Sequence, residues 1–429
     1  MKEKIKTAAL IANGLLMAVL FTLSVSLGVS VDPSLGPLYT LSRWLRGENT
    51  VSQVQEEESD PAAYPLAVSA FQQGDLYYAY TQQPVSAIYT LLRPTLEEAL
   101  GSMGEKKTVQ REDYYRVLLE EQGFLLEYDG QVPLTAMRAW SGASPGEDEL
   151  AFSRLVLLAE EDRVDLLLET EEGEWFRFST AAASEKLQTA LEECDPDGSY
   201  FAMEDPNLSV LVPDQPVPSS AIKLPVYECK VADVITDAVS GGEMPRALLE
   251  CFSMNPYLAK RYAAGEDMAV FVQGNYSLRL SGDGTVQFTV DGGEGLEGES
   301  GENTLVGLIG RGWQVAQDAL DSAGSPLDLS LKSIQKGAEE EEYTILFSCR
   351  ASGVPLSSQQ VTIHVREGVI VSMEMSLLSL TQTGKKTLLP YSLAAAAREG
   401  SSAVRLQCRY TLQEGKLTPY LSYATVKEG

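Results

Sequence analysis

After residue 60, apolar positions follow two periods along the chain, and each period predicts one type of element. Alternating runs bounded by turn residues predict β-strands, and apolar positions three or four apart predict amphipathic helices. The first half of this region is predicted to form a hairpin, two helices, a strand, a short helix, a three-stranded meander and a closing helix. In chain order, these elements occupy 66–80, 85–100, 110–123, 124–128, 133–140, 152–179 and 184–193.

Two residues in this stretch are expected to interrupt helices. Pro94 has no amide proton and its ring crowds the preceding turn, so it should kink or split the helix at 85–100. Gly123 is expected to lie just after the end of the helix at 110–123, because glycine readily adopts the left-handed conformation that ends helices.

The second half of the region carries more strands than helices. Helical spacing near 231–252 and in 304–322 lies on either side of a meander at 268–290, whose turns GN and GDG are typical of hairpins. Further strands, a short helix and a final hairpin are predicted, in chain order, at 330–335, 343–352, 359–366, 369–380, 392–400, 404–413 and 417–426. Because helices and strands segregate without βαβ alternation, the predicted class is α+β with antiparallel sheets.

A proline-rich stretch separates the two halves. Residues 206–225 contain five prolines, and such a composition is typical of a boundary between domains. We therefore predict an N-terminal α+β domain at 61–205, a linker at 206–222 and a C-terminal α+β domain at 223–429.

The N-terminal segment predicts a membrane anchor. Residues 7–31 contain no charged side chain, and a helix of that length spans about 37 Å, enough to cross a hydrocarbon core of about 30 Å. Lysines precede the segment and Asp32 follows it, so residues 1–6 should be a cytoplasmic tail and the body should lie outside the cell membrane. A cleaved signal peptide is the alternative, but its apolar region would be shorter. Residues 32–60 are predicted to form a juxtamembrane helix and a tether.

One face of this predicted membrane helix carries small residues at four-residue spacing. Such a stripe lets a second helix approach closely, so these side chains are predicted to bind a partner helix. The five residues are Gly14, Ala18, Thr22, Ser26 and Ser30.

Charge and cysteine content narrow the function classes. The chain has 429 residues and a formal net charge of −28, and such a surface repels nucleic acid, so no nucleic-acid partner is expected. Its five cysteines form no CxxC pair, so no zinc site is predicted. An odd number argues against a disulfide framework. Buried free thiols are favoured, although Cys349 and Cys408 lie in predicted strands and a bond between them is the alternative.

The candidates for nucleophilic chemistry lack the partners that such chemistry needs. His364 is the single histidine, and it should point away from the apolar face of its strand, so multi-histidine metal sites are excluded and a Ser-His-Asp triad would depend on this residue alone. Ser333 with Lys336, and Ser220 with Lys223, have the Ser-x-x-Lys spacing of penicillin-recognising enzymes. Neither pair lies in a predicted helix, and the companion motifs are missing.

Two further motifs match known sites in spacing alone. The glycines in 293–298 have the dinucleotide-binding spacing, but the glutamates between and after them would repel a pyrophosphate and no helix begins there. Glu193, Asp195, Asp197 and Glu204 resemble an EF-hand loop. A helix stop followed by a turn is favoured there, with weak calcium binding as the alternative. No catalytic, cofactor-binding or metal-binding residue is predicted, and no cofactor is expected.

Several segments resemble one family of extracytoplasmic proteins. LLRPTLEEALGSMG (91–104), LLEEQGFLLEYDG (118–130) and QVPLTAMRAW (131–140) are similar to the N-terminal domain of clostridial YycH-like proteins. VFVQGNYSLRLSGDGTVQFTV (270–290) and LQCRYTLQEGKLTPYLSYATV (406–426) resemble the C-terminal part shared by YycH and YycI. The similarity covers most of the chain, and its motifs are apolar and structural.

The resemblance implies a regulator without catalytic residues. Proteins of this family lie outside the membrane beside the cell-wall sensor histidine kinase WalK, also called YycG, and regulate it through their membrane helices and outer domains. The implied partners are the kinase, a second YycH/YycI-like protein and membrane lipid. Two other functions stay open from the sequence: an anchored cell-surface binding module without kinase contact, and an anchored hydrolase.

Overall fold

The computed structural model describes residues 64–144, 146, 150–231, 243–263, 267–292, 295–297, 304–339, 341–398 and 403–425. They belong to one compact unit that spans residues 59–429. The predicted tail, anchor and tether lie outside the described residues, as do all five residues of the predicted helix-binding stripe. Within the described ranges, each helix is too short or too polar to span a bilayer.

The first half forms a sheet of seven antiparallel strands with four α-helices. The strand order is β2-β1-β4-β5-β6-β7-β3. The strands are β1 Ala67–Gln72, β2 Asp75–Ala79, β3 Lys106–Val109, β4 Gln122–Pro133, β5 Ala151–Ala159, β6 Val164–Glu169 and β7 Trp175–Ser179. The helices are α1 Gln82–Gly101, α2 Arg111–Glu120, α3 Leu134–Trp140 and α4 Ser184–Glu192.

Both faces of this sheet are buried, which explains its long apolar runs. Successive residues of a strand point to opposite faces, and in β4 Phe124 joins the core beneath α1 and α4, whereas Leu125 joins the core beneath α2. Val156 of β5 and Leu167 of β6 lie on the α2 face with Leu125. The sheet is therefore the middle layer of a helix–sheet–helix arrangement.

The second half is built on a twelve-stranded sheet in which antiparallel pairs dominate. The main path is β11-β12-β13-β14-β18-β17-β20-β21-β10-β19, with β16 also paired to β17 and β15 to β16. The strands are β10 Lys223–Val231, β11 Lys260–Ala263, β12 Met268–Gln273, β13 Tyr276–Ser281, β14 Thr285–Val290, β15 Asp328–Lys336, β16 Tyr343–Ala351, β17 Val354–Arg366, β18 Val369–Ser376, β19 Leu378–Thr387, β20 Val404–Gln413 and β21 Lys416–Thr425. Its helices are α5 Glu243–Cys251, α6 Leu305–Ser322 and α7 Tyr391–Ala396. Mixed α+β architecture with antiparallel sheets is thus confirmed.

Gly123 was expected to end a helix, and this prediction is wrong. Helix α2 ends at Glu120, and Gly123 lies inside β4. A Cβ atom on Gly123 would overlap the carbonyl oxygen of Leu157 in the neighbouring strand. The glycine is therefore needed for close strand approach and not for a helix end.

Three other expectations are changed by tertiary pairing. Pro94 does not split its helix, because α1 continues through it as one element. The run 369–380 is not a single strand: it divides at Leu377 into β18 and β19, and β19 pairs with β10. Strands β3 and β11 were not predicted, since each is four residues long and lacks an alternating pattern. Strand β10 was not predicted either, although residues 227–231 alternate between apolar and polar side chains.

The proline-rich stretch packs closely against both halves. It contains a 3-10 turn at Pro206–Leu208 and β9 Pro216–Val217, which pairs with β8 Tyr200–Phe201. A second 3-10 turn at Ala202–Glu204 directly precedes it. Val212 donates to the carbonyl of Val404, and Val404 donates to that of Val210. The start of β20 is thereby hydrogen-bonded to this stretch.

Candidate functional site

A row of charged side chains crosses the first sheet from β4 to β6. Glu127 of β4 is the cross-strand partner of Arg154 in β5, and Arg154 is the partner of Glu169 in β6. Directly opposed residues lie on the same face of a sheet, so the three side chains adjoin on the face that α2 covers. Arg154 binds Glu169 through two hydrogen bonds, Nε to Oε2 at 2.5 Å and Nη2 to Oε1 at 2.6 Å.

Asp214 from the proline-rich stretch joins this row. Its Oδ2 accepts hydrogen bonds from Arg154 Nη1 and, over 3.1 Å, from the hydroxyl of Tyr114 in α2. The side chains of Asp214 and Arg154 are 2% and 7% exposed, which places this contact in the protein interior. A residue of an irregular segment therefore closes the row from outside the sheet.

Arg405 of β20 brings the second half of the protein to the same point. Its Nη2 donates to Asp214 Oδ1 over 3.0 Å, and its Nη1 donates to Glu127 Oε1 over 3.1 Å. A guanidinium suits this position because its planar fork can serve two carboxylates at once. We name Glu127, Arg154, Glu169, Asp214 and Arg405 the junction cluster.

Aromatic rings support the junction cluster from the α2 side. Tyr114 stacks on Trp175 of β7 with ring centroids 3.7 Å apart. The guanidinium of Arg154 lies 5.1 Å from the Trp175 ring and 5.7 Å from the Tyr114 ring, within the range of cation–π attraction. The aromatic pair thus fixes Arg154 without offering it another charge.

Burial and charge act in opposite directions on the acids of the junction cluster. Burial alone would raise the pKa of Asp214, but Arg154 and Arg405 together with the hydrogen bonds from Arg154 and Tyr114 hold it well below the ordinary value. At Glu127 burial prevails over Arg405 and Arg154, and the pKa is raised. Asp214 is therefore the firmly ionised hub, and Glu127 is the less well compensated acid.

A second ion pair links the two halves nearby. Arg409 of β20 donates from Nη2 to Asp129 Oδ1 over 3.1 Å, and the Asp129 side chain is fully buried. Next to it, Gly130 lies so close to β15 that a Cβ atom there would meet the carbonyl oxygen of Lys332. Backbone packing and ion pairing thus hold β4 against the second half at adjacent residues.

A cleft of about 370 Å³ opens beside the junction cluster. Its walls come from the ends of β1 and β2, from the 127–131 part of β4, from the β6–β7 turn and from the β20–β21 hairpin. The volume lies in the lower part of the range of small-molecule sites. The cluster and the cleft therefore form one site where the halves of the body meet.

The contacts of the junction cluster suit a mechanical role. Buried ion pairs add little net stability, but removing one partner leaves a buried charge without compensation and is costly. The network thus fixes how the first sheet, the proline-rich stretch and the β20–β21 hairpin fit together. The site therefore places an open cleft next to side-chain contacts from both halves of the body.

The structure places the nucleophile candidates apart from this site. His364 is exposed on β17 while Val361, Ile363 and Val365 are buried, as predicted, and its Nδ1 lies 3.1 Å from Thr344 Oγ1. Ser333 and Lys336 lie on β15, and Ser220 precedes β10, which begins at Lys223.

The remaining motifs also stay outside the site. In the EF-hand-like stretch, Asp197 accepts from the amide of Ser199 and Glu204 from the amide of Phe201. Strand β8 and two 3-10 turns occupy the place of an exiting α-helix. Within the described part of that stretch and of the other ranges, no group of three or more His, Cys, Asp or Glu side chains is arranged to hold a metal ion. The glycine motif at 293–298 is only partly described.

All five cysteines are free thiols in the structure. Cys349 and Cys408 are therefore not bonded to each other, and burial raises the pKa of each to about 12. The favoured prediction of buried free thiols agrees with this for Cys194, Cys229 and Cys349, which are buried.

Sequence reasoning missed the junction cluster, although a signal for part of it was present. Arg154 is a single charge inside the apolar run FSRLVLLA, and Glu127 is a single charge in FLLEY. A charge inside a strand that is buried on both faces needs a partner of opposite charge. Glu127 and Arg154 therefore indicate that ion pairs are present in this sheet. No comparable signal points to Asp214.

No protein-family model matches the sequence, and no curated protein matches it. The structure is similar to that of YycH from Bacillus subtilis, at 11% sequence identity, with a TM-score of 0.56 over 87% of this chain and 96% of that chain. It also matches an uncharacterized protein from Eubacterium rectale at 10% identity, over 47% of this chain and 77% of that one, but the TM-score of 0.31 carries no argument. The resemblance found in the sequence is confirmed at the level of the fold: this chain has a YycH-like fold.

Proposed function

We propose that the protein is a non-catalytic, membrane-anchored regulator of a WalK-like sensor histidine kinase. The observation that carries this proposal is the YycH-like fold, which extends over 87% of the chain. The uncharged segment 7–31 and the lysines before it support the accompanying topology, in which the N-terminus is cytoplasmic and the body extracytoplasmic. The kinase is the proposed main partner, with a second YycH/YycI-like protein and membrane lipid as further contacts.

A regulator of this type acts through unequal contact with the signalling states of the kinase. A bound protein shifts a two-state equilibrium only by the difference between its binding free energies for the two states. In the bilayer, the proposed contact is the small-residue stripe, where Gly14 and Ala18 would permit close backbone approach. Thr22 and Ser26 would add interhelical hydrogen bonds of about 0.6 kcal/mol each.

The experiment replaces two small residues of this stripe with leucine, which blocks close helix approach and keeps the segment apolar. The double variant Gly14→Leu with Ala18→Leu should separate the helices, abolish co-purification with the kinase and shift transcription of its regulon. The matched control, Ala9→Leu with Ala12→Leu, changes the side of the helix opposite Gly14 and Ala18 and should preserve association. Protease treatment of intact protoplasts should meanwhile digest the body beyond about Asp32.

The outcomes separate the parts of the proposal. Normal co-purification of the stripe variant would assign the contact to the outer domains. Failure of the unaltered protein to associate with the kinase would contradict the regulator function itself, and a body protected from protease would contradict the topology.

A further inference from the structure

Exposed apolar side chains are grouped around α7. Leu389 and Leu393 are 60% and 57% exposed, and Tyr423 of β21 is 43% exposed. The Tyr423 hydroxyl donates to the carbonyl of Ala394 over 2.8 Å, which places its ring at the same helical turn as Leu393. We name Leu389, Leu393 and Tyr423 the α7 patch. Exposed apolar residues that occur singly are normal, whereas grouped ones mark contact surfaces.

The protein does not need the α7 patch for its own packing. Tyr391, Ala394 and Ala395 form the buried side of α7, and the Tyr391 hydroxyl lies 4.0 Å from Cys408 Sγ in β20. The helix is thus held by its inner side. The two leucines stay on the surface, where another molecule can cover them.

The chain before the patch carries positive charge in an otherwise acidic protein. The whole chain has 61 acidic residues among 429, yet the range 375–398 has none. Lys385 and Lys386 lie in this range, and Lys223 is the cross-strand partner of Thr387 in β19. All three lysines are exposed, and no acid among the described residues forms an ion pair with them. We name these three residues the lysine cluster.

The lysine cluster and the α7 patch are neighbours in space. The amide of Leu388 donates to the carbonyl of Ile222 over 2.8 Å. The start of β10, with Lys223, therefore lies beside the residue that precedes Leu389. Basic and apolar side chains thus form one continuous surface.

The nearest acids outside this range are already engaged. The turn Pro206–Leu208 contacts α7, and the acids before it, Glu204 and Asp205, accept hydrogen bonds from backbone amides. Exposed charges farther away than about 8 Å are largely screened at physiological ionic strength. The lysines can therefore attract an anionic surface locally, although the chain as a whole is negatively charged.

The α7 patch lies near the point where the described chain begins. Leu66 lines the same cleft as Thr425, which is two positions after Tyr423. In the proposed topology, residues 32–63 connect this beginning to the membrane anchor, and 32 residues span at most about 115 Å. A contact between the body and the bilayer is then intramolecular, so even a weak attraction is effective.

We propose that the α7 patch and the lysine cluster dock on the surface of a bilayer that contains anionic lipid. Leu389 and Leu393 enter the boundary between headgroups and acyl chains, Tyr423 lies at the level of the headgroups, and the lysines meet lipid phosphates. Basic side chains beside apolar ones are the combination by which surface helices bind anionic membranes. The inference rests on the membrane anchoring in the proposed function and adds the part of the body that contacts lipid.

Fluorescence quenching of the full-length chain in lipid vesicles tests this proposal. The reporter variant is Leu389→Trp, and the vesicles contain phosphatidylcholine and about 30% phosphatidylglycerol, with or without a phosphatidylcholine that is spin-labelled near its headgroup. The signal of the unaltered chain is subtracted. The added tryptophan should lose at least about half of its fluorescence to the spin label.

The matched control is Leu258→Trp. Leu258 is 66% exposed, but it precedes β11, which lies at the opposite end of the strand order from β19. A tryptophan there should lose less than about a tenth of its fluorescence.

A second substitution shows whether the native patch contributes, since tryptophan itself favours membrane interfaces. In the Leu389→Trp background, Leu393→Ser removes an apolar side chain that is exposed and not needed for packing. The quenched fraction should fall by about twofold.

Lysine replacements test the charged contribution in the same background. Lys385→Gln with Lys386→Gln should lower the quenched fraction by about twofold, as should omission of phosphatidylglycerol. Lys106→Gln with Lys107→Gln is the matched control, because this pair is exposed on β3 at the edge of the first sheet. It should leave the quenching unchanged.

Three results would overturn the proposal. They are quenching of Leu389→Trp no greater than that of Leu258→Trp, quenching that responds neither to lysine replacement nor to omission of phosphatidylglycerol, and shielding of the Leu389→Trp side chain only when a kinase is present, which would assign the patch to a protein partner. Alkaline extraction of the vesicles tests the anchor separately. A chain released by this treatment contradicts the proposed topology, whereas quenching measured beforehand still decides whether the α7 patch meets lipid.

Discussion

Arg405 and Asp214, which are 191 positions apart in the chain, are joined by a hydrogen bond of 3.0 Å from Nη2 to Oδ1. Asp214 is at the same time bound by Arg154 and Tyr114 of the first half. One carboxylate of the proline-rich stretch therefore connects side chains from both halves of the body.

Neutralising this carboxylate should destabilise the whole compact unit. Asp214→Asn leaves Arg154 and Arg405 buried with less compensation, and the expected loss is about 3–5 kcal/mol in the free energy of unfolding. Urea denaturation followed by circular dichroism measures it. The matched change Asp291→Asn, in an exposed turn, should alter stability by less than about 0.5 kcal/mol. A loss that small at Asp214 would mean that the network is not rigidly paired in solution.

The contribution of Asp214 should depend on pH in a definite direction. Its pKa is lowered in the folded protein, so its stabilising effect is complete above the unfolded pKa of about 3.9 and is lost as the pH falls toward the folded value. The stability difference between the unaltered protein and Asp214→Asn should thus be constant from pH 7 to about pH 5 and shrink below about pH 4. A difference that instead grew on acidification would show that the folded pKa is raised.

Gly130 should tolerate no side chain. A Cβ atom at this position would overlap the carbonyl of Lys332 in β15, and since backbone cannot rotate away, Gly130→Ala should cost about 3 kcal/mol, the upper part of the overpacking range. The midpoint of thermal unfolding reports the change. In Gly384→Ala the added methyl group meets no atom within 4 Å, and this control should be neutral or stabilising by about 0.5–1 kcal/mol. Equal midpoints for the two variants would contradict the close packing of β4 on β15.

The thiols should be unreactive in the folded protein. Burial raises the pKa of Cys349 and Cys408 to about 12 and is the main cause that raises those of Cys194 and Cys251 to about 11, so at pH 8 only about one thiol in ten thousand at Cys349 is the nucleophilic thiolate. Iodoacetamide should label the native protein slowly and all five cysteines after unfolding in urea. Fast labelling of Cys349 in the native protein would contradict its burial and raised pKa. Fewer than five labelled sites after unfolding without reductant would contradict the finding that all five cysteines are free thiols.

The spacing of apolar residues predicted most helices and strands of the body. In these elements, the residues that face the core are marked by the spacing within the element itself. The runs that became β5, β6 and β7 are apolar on both faces, and the helix α6 has apolar residues at helical spacing. Where a neighbouring strand decides the outcome, the pattern is misleading: the residues around Gly123 predict a helix end, because the close approach of Leu157 is not visible in the sequence.

The site was less predictable than the fold. The charges of Glu127 and Arg154 inside apolar runs indicate that partners exist, but the partners depend on strand register and on chain segments far apart. Asp214 lies in VPDQP, which is typical of an exposed turn, and only the contact between the proline-rich stretch and β20 makes it a buried hub.

The late position of β20 in the chain has a consequence for the order of folding. Strands and charges of the first half are complete once residues up to about 217 have been synthesised, yet Arg405 arrives only with the final hairpin. Until then Glu127 and Asp214 lack this cation, and long-range closure of this kind is slow. The two halves therefore cannot be joined through this arginine until the last pair of strands has been made, and a chain that ends before Val404 leaves Glu127 and Asp214 without the hydrogen bonds that Arg405 donates.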